Sequence, residues 1–441
     1  MANKPGRARV IYQSEALYAG TADATGHHFS TSTDWSTRAD YKTFAKHADA
    51  VSDGNPIRTG IQQLRRVQSA NYSFSINRQD VNQFGQLARI DSVAIDPPTV
   101  TLDFSYYLTN GVNERILGMN VDGLTSAIAE DILDGGADAA NTDGKNFFIL
   151  TTPQSDDAVG SDSSDSEKSV IALGNGYVSN YSINAAVGGM PTANVTVDGL
   201  NLRSYIGTAD KPVPSVNTNF GTPITDVEFS MPPAISGVLN DGASDLSSEV
   251  EGWSCLRPGD ITLSLGTDGR ASEFELMPGE DPRNVTPGGN DNPLYDYEGS
   301  GSAHVQSFSI DVPIGRSSLQ RLGTPYGYTK VVDFPVNISV SVSAILSDLK
   351  AGNVADLLWD SEEHDLVFTM REPNQYGTGD IAMQYVVKGA LLEGESFSSS
   401  IGDNKSVDLT FTAQIGSPND TARGLMLKGS RNAVTITEDF A

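Results

Sequence analysis

Few residues in this chain are spaced for catalysis. Ser347-Asp-Leu-Lys350 spells S-x-x-K, in which a lysine activates a serine nucleophile, but the companion S-D-N and K-T-G elements are missing. It is read as the start of a helix. His27-His28 is an adjacent pair, while His47, His304 and His364 are single and scattered, without the spacing of a zinc site. Asp156, Asp157, Asp162, Asp165 and Glu167 gather the carboxylate oxygens that calcium requires, yet they lack the D-x-D-x-D-G run with a distal Glu. They are read as a solvated acidic loop. Cys255 is the only cysteine, so no intrachain disulfide and no cysteine zinc cluster can form. No glycine-rich phosphate cradle is present either. The expectation is a protein that is not an enzyme, with no catalytic residue, no bound metal and no cofactor.

What does ask for a function is a set of polar residues at every second position. They are Ser73, Ser75, Asn77; Thr101, Asp103, Ser105; Asn194, Thr196, Asp198; Ser309, Asp311; Asn337, Ser339, Ser341; and Asp408, Thr410. None is Lys or Arg, although solvent-facing strands ordinarily mix in both. Composition accounts for part of this, since the chain carries 56 acidic residues against 29 basic ones and a formal charge of −27. The sharper reading is a wall of small polar and acidic groups, which a phosphate backbone passes without sticking. The same charge argues against a conventional nucleic-acid binder, whose affinity draws on Lys and Arg meeting phosphate.

The elements that position these residues are strands. VQSANYSFSIN (67–77), VTLDFSYYL after Pro97-Pro98, YSINAAV, NVTVDG and FPVNISVSVSAIL (334–346) alternate apolar and polar residues with period two. Short helices are expected over 122–134 and 347–359, each entered through an Asp or Ser cap. An internal repeat organises the whole. Val67-Gln-Ser recurs at Val305-Gln-Ser, an offset of 305 − 67 = 238, and the Pro98 strand matches Pro335 at 237. Phe147-Phe148 and Pro153 match Val367-Phe368 and Pro373 at 220, and Ser182, Val195 and Val197 match Ser396, Leu409 and Phe411 at 214. The 441 residues therefore divide into a first domain, 1–207, with an arm at 1–60, and a second, 208–441. The second includes a connector or insertion at 208–300, with one good strand in DITLSL, and a tail at 417–441 ending in VTITEDFA. The acidic insertion 155–168 and the connector either decorate the outside or bridge neighbours. No secretion signal and no run of 18 apolar residues is found, so neither export nor a membrane is expected.

RVIYQSEALYAG, then LRRVQSANYSFSINRQDVNQFGQLARIDSVAIDPPTVTLDFSYYLTNGVNERILG, resembles the major tail tube proteins of long-tailed, siphovirus-like bacteriophages. NFFILTTPQSDDA, GYVSNYSINAAVGGMPTANVTVDGLNL and VQSFSIDVPIGRSSLQRLGTPYGYTKVVDFPVNISVSVSAIL continue the likeness, which rests on the order of the segments. The resemblance implies a mainly β protein of two tandem diverged tail-tube-like β-sandwich or barrel domains with short helices. It implies trimeric, pseudo-hexameric rings that stack into a tube in the virion, on synthesis in the host bacterial cytoplasm. Partners would be further copies of the chain, a tape-measure protein, the tail terminator and distal tail proteins, with double-stranded DNA passing unbound through the lumen. The sixteen polar residues above would line that lumen, and the arm and the loop near 77–98 would meet the adjacent ring. The alternative is a distal tail or tail-tip receptor-binding hub, for which Tyr295, Tyr297, Tyr326 and Tyr328 are the aromatic candidates.

Overall fold

The computed structural model describes residues 15–21, 61–128, 144–153, 168–208, 211–217, 221–225, 255–265, 304–327, 329–345, 363–373, 381–398, 406–417 and 422–429, with a few single positions between. In chain order, the first half runs β1 (Glu15–Thr21), β2 (Gln62–Gln63), β3 (Val67–Ser75), β4 (Arg78–Val81), β5 (Asp91–Ala94) and β6 (Thr99–Tyr107). It continues through helix α1 (Val112–Leu117), β7 (Asp122–Ser126), β8 (Lys145–Thr151), β9 (Ser169–Ala186), β10 (Thr192–Gly199) and β11 (Asn201–Ile206). Four two-residue strands follow: β12 (Lys211–Pro212), β13 (Val216–Asn217), β14 (Thr222–Pro223) and β15 (Glu228–Phe229). The second half holds β16 (Ile261–Leu265), β17 (His304–Pro313), β18 (Arg316–Leu319), β19 (Thr329–Val332) and β20 (Asn337–Ile345). It ends with β21 (His364–Arg371), β22 (Ile381–Ser398), β23 (Ser406–Gln414) and β24 (Gly424–Gly429).

The architecture is mainly β, and the largest layer is one antiparallel sheet of eight strands in the order β3-β6-β10-β9-β17-β20-β23-β22. It is open rather than closed into a barrel, with β3 at one edge and the C-terminal part of β22 at the other. Two smaller outer sheets pack on one face of it: β2-β1-β8-β9-β11 behind the first half and β16-β21-β22-β24-β7 behind the second. β9 and β22, 18 residues each, belong to both layers. Each leaves its outer sheet after Gly176 or Ala390, and a bulge follows within the large sheet, at Ser179 in β9 and Glu393 in β22, where one residue drops out of the pairing with β10 or β23.

Period-two alternation sets which side chains enter the core. In β6 Val100, Leu102, Phe104 and Tyr106 are buried, and in β20 Ile338, Val340, Val342 and Ala344. These join Val195, Val197, Leu409, Phe411, Phe308 and Phe368 in one cluster that runs through both halves. Burying a side chain of that size contributes about 1.5–3 kcal/mol, which makes the continuous core the main source of stability. A second cluster lies outside the first outer sheet, where Val213, Ile224, Phe229 and Met231 cover Tyr18, Phe148, Leu150 and Val170. This segment is clasped by polar groups as well. Asn201 donates to the Pro214 carbonyl at 2.7 Å, Val216 N–H donates to Asn175 Oδ1 at 2.6 Å, and Asn146 meets Ser215.

The pairing pattern occurs twice, which fixes the repeat residue by residue. Asn71 faces Asp103 as Ser309 faces Ser341, so both strands of the first pair map at 309 − 71 = 238 and 341 − 103 = 238. The Pro98 strand therefore matches at 238 and not the expected 237. The slip of one would turn the buried residues of β6 onto the polar face of β20. β8 maps onto β21 at 368 − 149 = 219 rather than 220, since Ile149 faces Ile171 and Phe368 faces Tyr385. The offset of 214 holds for β9, for β10 and even for the bulges, 393 − 179. β16, expected as a lone strand of the connector, pairs with β21 as β1 pairs with β8.

Other expectations shift. Residues 122–126, expected to open a helix, form β7 instead, held to β24 by Met426 opposite Ser126 and Lys428 opposite Asp122. Gly123 adopts φ +75 there, a left-handed value that breaks any helix. Among the described residues an α-helix, α1, lies earlier, between Gly111 and Gly118, both at positive φ. The strand-like RVIYQSEALYAG contributes β1, which lies in its own chain's outer sheet. The expected loop at 77–98 contains the β4–β5 hairpin. The segment 347–359, most of the acidic insertion and the tail ending in VTITEDFA lie outside the described residues.

Candidate functional site

The face of the eight-stranded sheet turned away from the core is where the polar positions gather. Ser73 faces Thr101, Asp103 faces Thr196, Ser105 faces Asn194, Ser309 faces Ser341, which faces Thr410, and Asp311 faces Ser339. Because these pairs run across strands 4.7–4.9 Å apart, the groups form continuous rows. They also bond to one another. Ser69 and Ser105 hydroxyls are 2.7 Å apart, as are those of Ser73 and Thr101, and Thr196 donates to Asp103 at 2.8 Å. Each such bond uses one hydroxyl hydrogen, so fewer donors remain for a passing phosphate.

Three of the sixteen positions sit differently. Ser75 faces Thr99 at the end of β3, and Asn77 lies beyond the strand and donates to Asp96 at 2.8 Å. Asp198 is half-buried at the sheet's end, close to two cations. Burial holds the Arg316 guanidinium down to about 10, partly offset by Tyr177 and Asp198, and burial likewise lowers the Lys330 ammonium, with Asp198 again opposing. Asp103, Asp311 and Asp408, in contrast, form no ion pair among the described residues. Sequence reasoning left out Ser182 and Asn184 of β9 and Ser396 of β22, which continue the same rows. The repeat offset of 214, which equates Ser182 with Ser396, was the signal that could have found them.

The two halves differ at the sheet's open edge. Ile310, Val312 and Ile314 in the second half are fully buried at 0% exposure. Their equivalents at 238 residues earlier, Tyr72, Phe74 and Ile76, are 44%, 61% and 43% exposed. The expectation that these alternate residues of 67–77 face a core is not met within the chain. The hairpin β4–β5 and its equivalent β18–β19 also carry bare apolar tips, with Phe84 at 107% and Leu322 at 103%, again 238 apart.

Where the two halves meet, four buried polar side chains form a chain. Tyr106 donates to Glu114 Oε1 at 2.8 Å, Tyr181 donates to the same oxygen at 3.2 Å, and Tyr181 and Tyr385 hydroxyls are 2.8 Å apart. Burial pushes the Glu114 carboxyl up, against the pull of both tyrosine hydroxyls, and pushes all three phenols well up. Tyr106 and Tyr181 come from the first half and Tyr385 from the second, so this network ties the halves together.

Among the described residues the catalytic candidates are not brought together. Ser347, Lys350, His27, His28, His47 and the carboxylates of the acidic insertion lie outside the described residues, and His304 and His364 sit on separate strands, β17 and β21. Among the described residues no group of three or more His, Cys, Asp or Glu could hold a metal ion, and no helix is long and apolar enough to cross a membrane.

No protein family and no curated protein matches the chain. Among solved structures it is similar to a chain of the PVC sheath–tube complex of an extracellular contractile injection system in its extended state. That match has 10% identity and a TM-score of 0.27, over 42% of this chain and 97% of that one. It is similar to a chain of the anti-feeding prophage baseplate at 11% identity and a TM-score of 0.21, over 29% of this chain and 81% of that one. A third is the SPP1 tail tube, at 11% identity and a TM-score of 0.22, over 42% of this chain and 91% of that one.

Proposed function

We propose that the chain is a non-catalytic structural subunit of a phage tail tube, whose polar sheet face lines a lumen that conducts double-stranded DNA. The observation that carries this is the face itself: rows of Ser, Thr, Asn and Asp running across eight strands drawn from both halves of a repeated chain. The sequence resemblance points the same way. On this reading the domains are 1–207 and 208–441, and three chains make a pseudo-hexameric ring. Such a ring would close about 24 strands, more than the 16–18 that already leave an aqueous channel. Asp103, Asp311 and Asp408, which form no ion pair among the described residues, would repel phosphate, so that DNA would slide and not bind. The hairpin tips at Phe84 and Leu322 would seat on the adjacent ring, and the chain would reside in the virion with terminator, tape-measure and distal tail proteins at its ends.

Negative-stain electron microscopy of the purified protein tests the reading, with hollow stacked rings expected. Solitary globules without a pore at every concentration would refute it. For conduction, Asp103→Lys with Asp408→Lys should leave tails assembled while reducing DNA ejection. Normal infectivity of such tails would refute a lumenal face.

A further inference from the structure

The β9–β17 junction inside the chain is a template for a contact between chains. β9 and β22 are equivalent at an offset of 214, and β3 and β17 at 238, yet among the described residues only β9 and β17 have these edges occupied, by each other. β17 lies against β9, with Ser309 opposite Asn184 and Asp311 opposite Ser182. Beyond the strand, Ile314 N–H donates to the Ser179 carbonyl at 2.9 Å. Arg316 then donates through Nε to the Val178 carbonyl at 3.0 Å, and its guanidinium lies 5.3 Å from the centre of the Tyr177 ring.

The unoccupied pair carries the same fittings. Arg78 stands 238 before Arg316 and already makes the bond within its hairpin: Nη1 to the Ser92 carbonyl at 3.5 Å, where Arg316 Nη1 reaches the Lys330 carbonyl at 3.2 Å. Ile76 stands where Ile314 does. On the other edge, the bulge at Glu393 stands where Ser179 does, and exposed Leu391 stands where Tyr177 does. An edge strand with no second partner strand among the described residues, bordered by three exposed apolar side chains, is a liability unless something covers it.

We infer that β3 of one copy docks antiparallel on the C-terminal part of β22 of a second copy, in the register of the β9–β17 junction. That register sets Asn71 opposite Ser398, Ser73 opposite Ser396 and Ser75 opposite Gly394. Ile76 N–H donates to the Glu393 carbonyl, and Arg78 donates to the Leu392 carbonyl. Tyr72, Phe74 and Ile76 become covered, as Ile310, Val312 and Ile314 are. The inference deepens the tube reading, since it supplies the contact by which rings would close, but it commits to a register that the reading alone does not.

Disulfide trapping of the full-length protein in a Cys255→Ser background tests it. Ser73→Cys with Ser396→Cys places the two thiols directly opposite, and a ladder of covalent oligomers on a non-reducing gel is expected. Ser69→Cys with Ser396→Cys separates them by four residues, about 13 Å at roughly 3.3 Å per residue, and should give none. Phe74→Asp in the first variant should cut the yield about tenfold or more, because it puts a carboxylate where an apolar group is to be covered. Phe74 is 61% exposed in the single chain, so circular dichroism of that variant should match the parent. Oligomers or tubes seen by microscopy without the in-register product overturn the inference and leave the tube reading standing. In-register product without tubes supports the inference and defeats the tube reading. Equal trapping of both cysteine pairs, or a monomer that never cross-links, overturns the inference outright.

Discussion

Removing one hydroxyl, Tyr181→Phe, should weaken the join between the two halves of the chain. That hydroxyl donates to Glu114 at 3.2 Å and meets the Tyr385 hydroxyl at 2.8 Å, all three groups being buried. Two buried hydrogen bonds at about 1 kcal/mol each, with a carboxyl as one acceptor, make the expected loss about 2–4 kcal/mol. Phenylalanine fills the same space, so no cavity contributes to the loss. Tyr385→Phe removes only the bond to Tyr181 and should cost about 1 kcal/mol, its contact with Met383 sulfur at 3.4 Å being weak. The double variant then costs no more than Tyr181→Phe alone, because the bond between the tyrosines can be lost only once. Urea unfolding followed by circular dichroism would give all four free energies, and the cycle should yield a coupling of about 1 kcal/mol. Strict additivity, or a Tyr181→Phe variant within about 0.5 kcal/mol of the parent, would refute the network as a contributor to the join between the halves.

Glu114 makes stability depend on pH. Its carboxyl is raised above the ordinary value of 4.5 by burial, so the protonated form is favoured in the folded chain. Its contribution is therefore full below pH 4.5 and is lost as pH rises through the raised value; Glu114→Gln should flatten that part of a Tm-against-pH profile, and an unchanged profile would refute the assignment. Arg316→Met should cost about 3 kcal/mol in urea unfolding. It strips donors from the carbonyls of Val178, Lys330 and Ile132 and the cation from Tyr177. Gly174→Ala would drive a methyl into the Pro214 carbonyl oxygen, so the segment at 211–217 must lift. About 1–3 kcal/mol of destabilisation is expected in a thermal melt, with faster proteolysis near Pro214.

The strands were legible because one face of each is buried, and burial writes a period of two into VTLDFSYY and NISVSVSAI alike. The polar face was legible for the same reason. What the sequence hid depends on partners distant along the chain. Residues 122–126 carry a capping Asp and helix-forming neighbours, and only the β24 edge makes them a strand. The repeat slipped by one residue at Pro98 because two prolines were matched by type, whereas cross-strand pairing sets the register. Tyr72, Phe74 and Ile76 read as core by pattern and stand exposed, since a pattern records that a residue is to be covered and not by which molecule.

The junction between β9 and β17 joins two parts of one polypeptide, so it forms at a fixed effective concentration however dilute the protein is. Two separately encoded halves would instead meet by diffusion at every seam. On the proposed docking, fusing them would make alternate seams unimolecular and would leave the others to respond to subunit supply. It would also release the two edges from sharing a sequence: Ile310, Val312 and Ile314 are permanent core, while on the proposed docking Tyr72, Phe74 and Ile76 would have to stay tolerable to water until a neighbour arrived. The larger, partly polar tyrosine and the single phenylalanine on that edge, against three aliphatic residues on the other, are the composition such a division of labour would select.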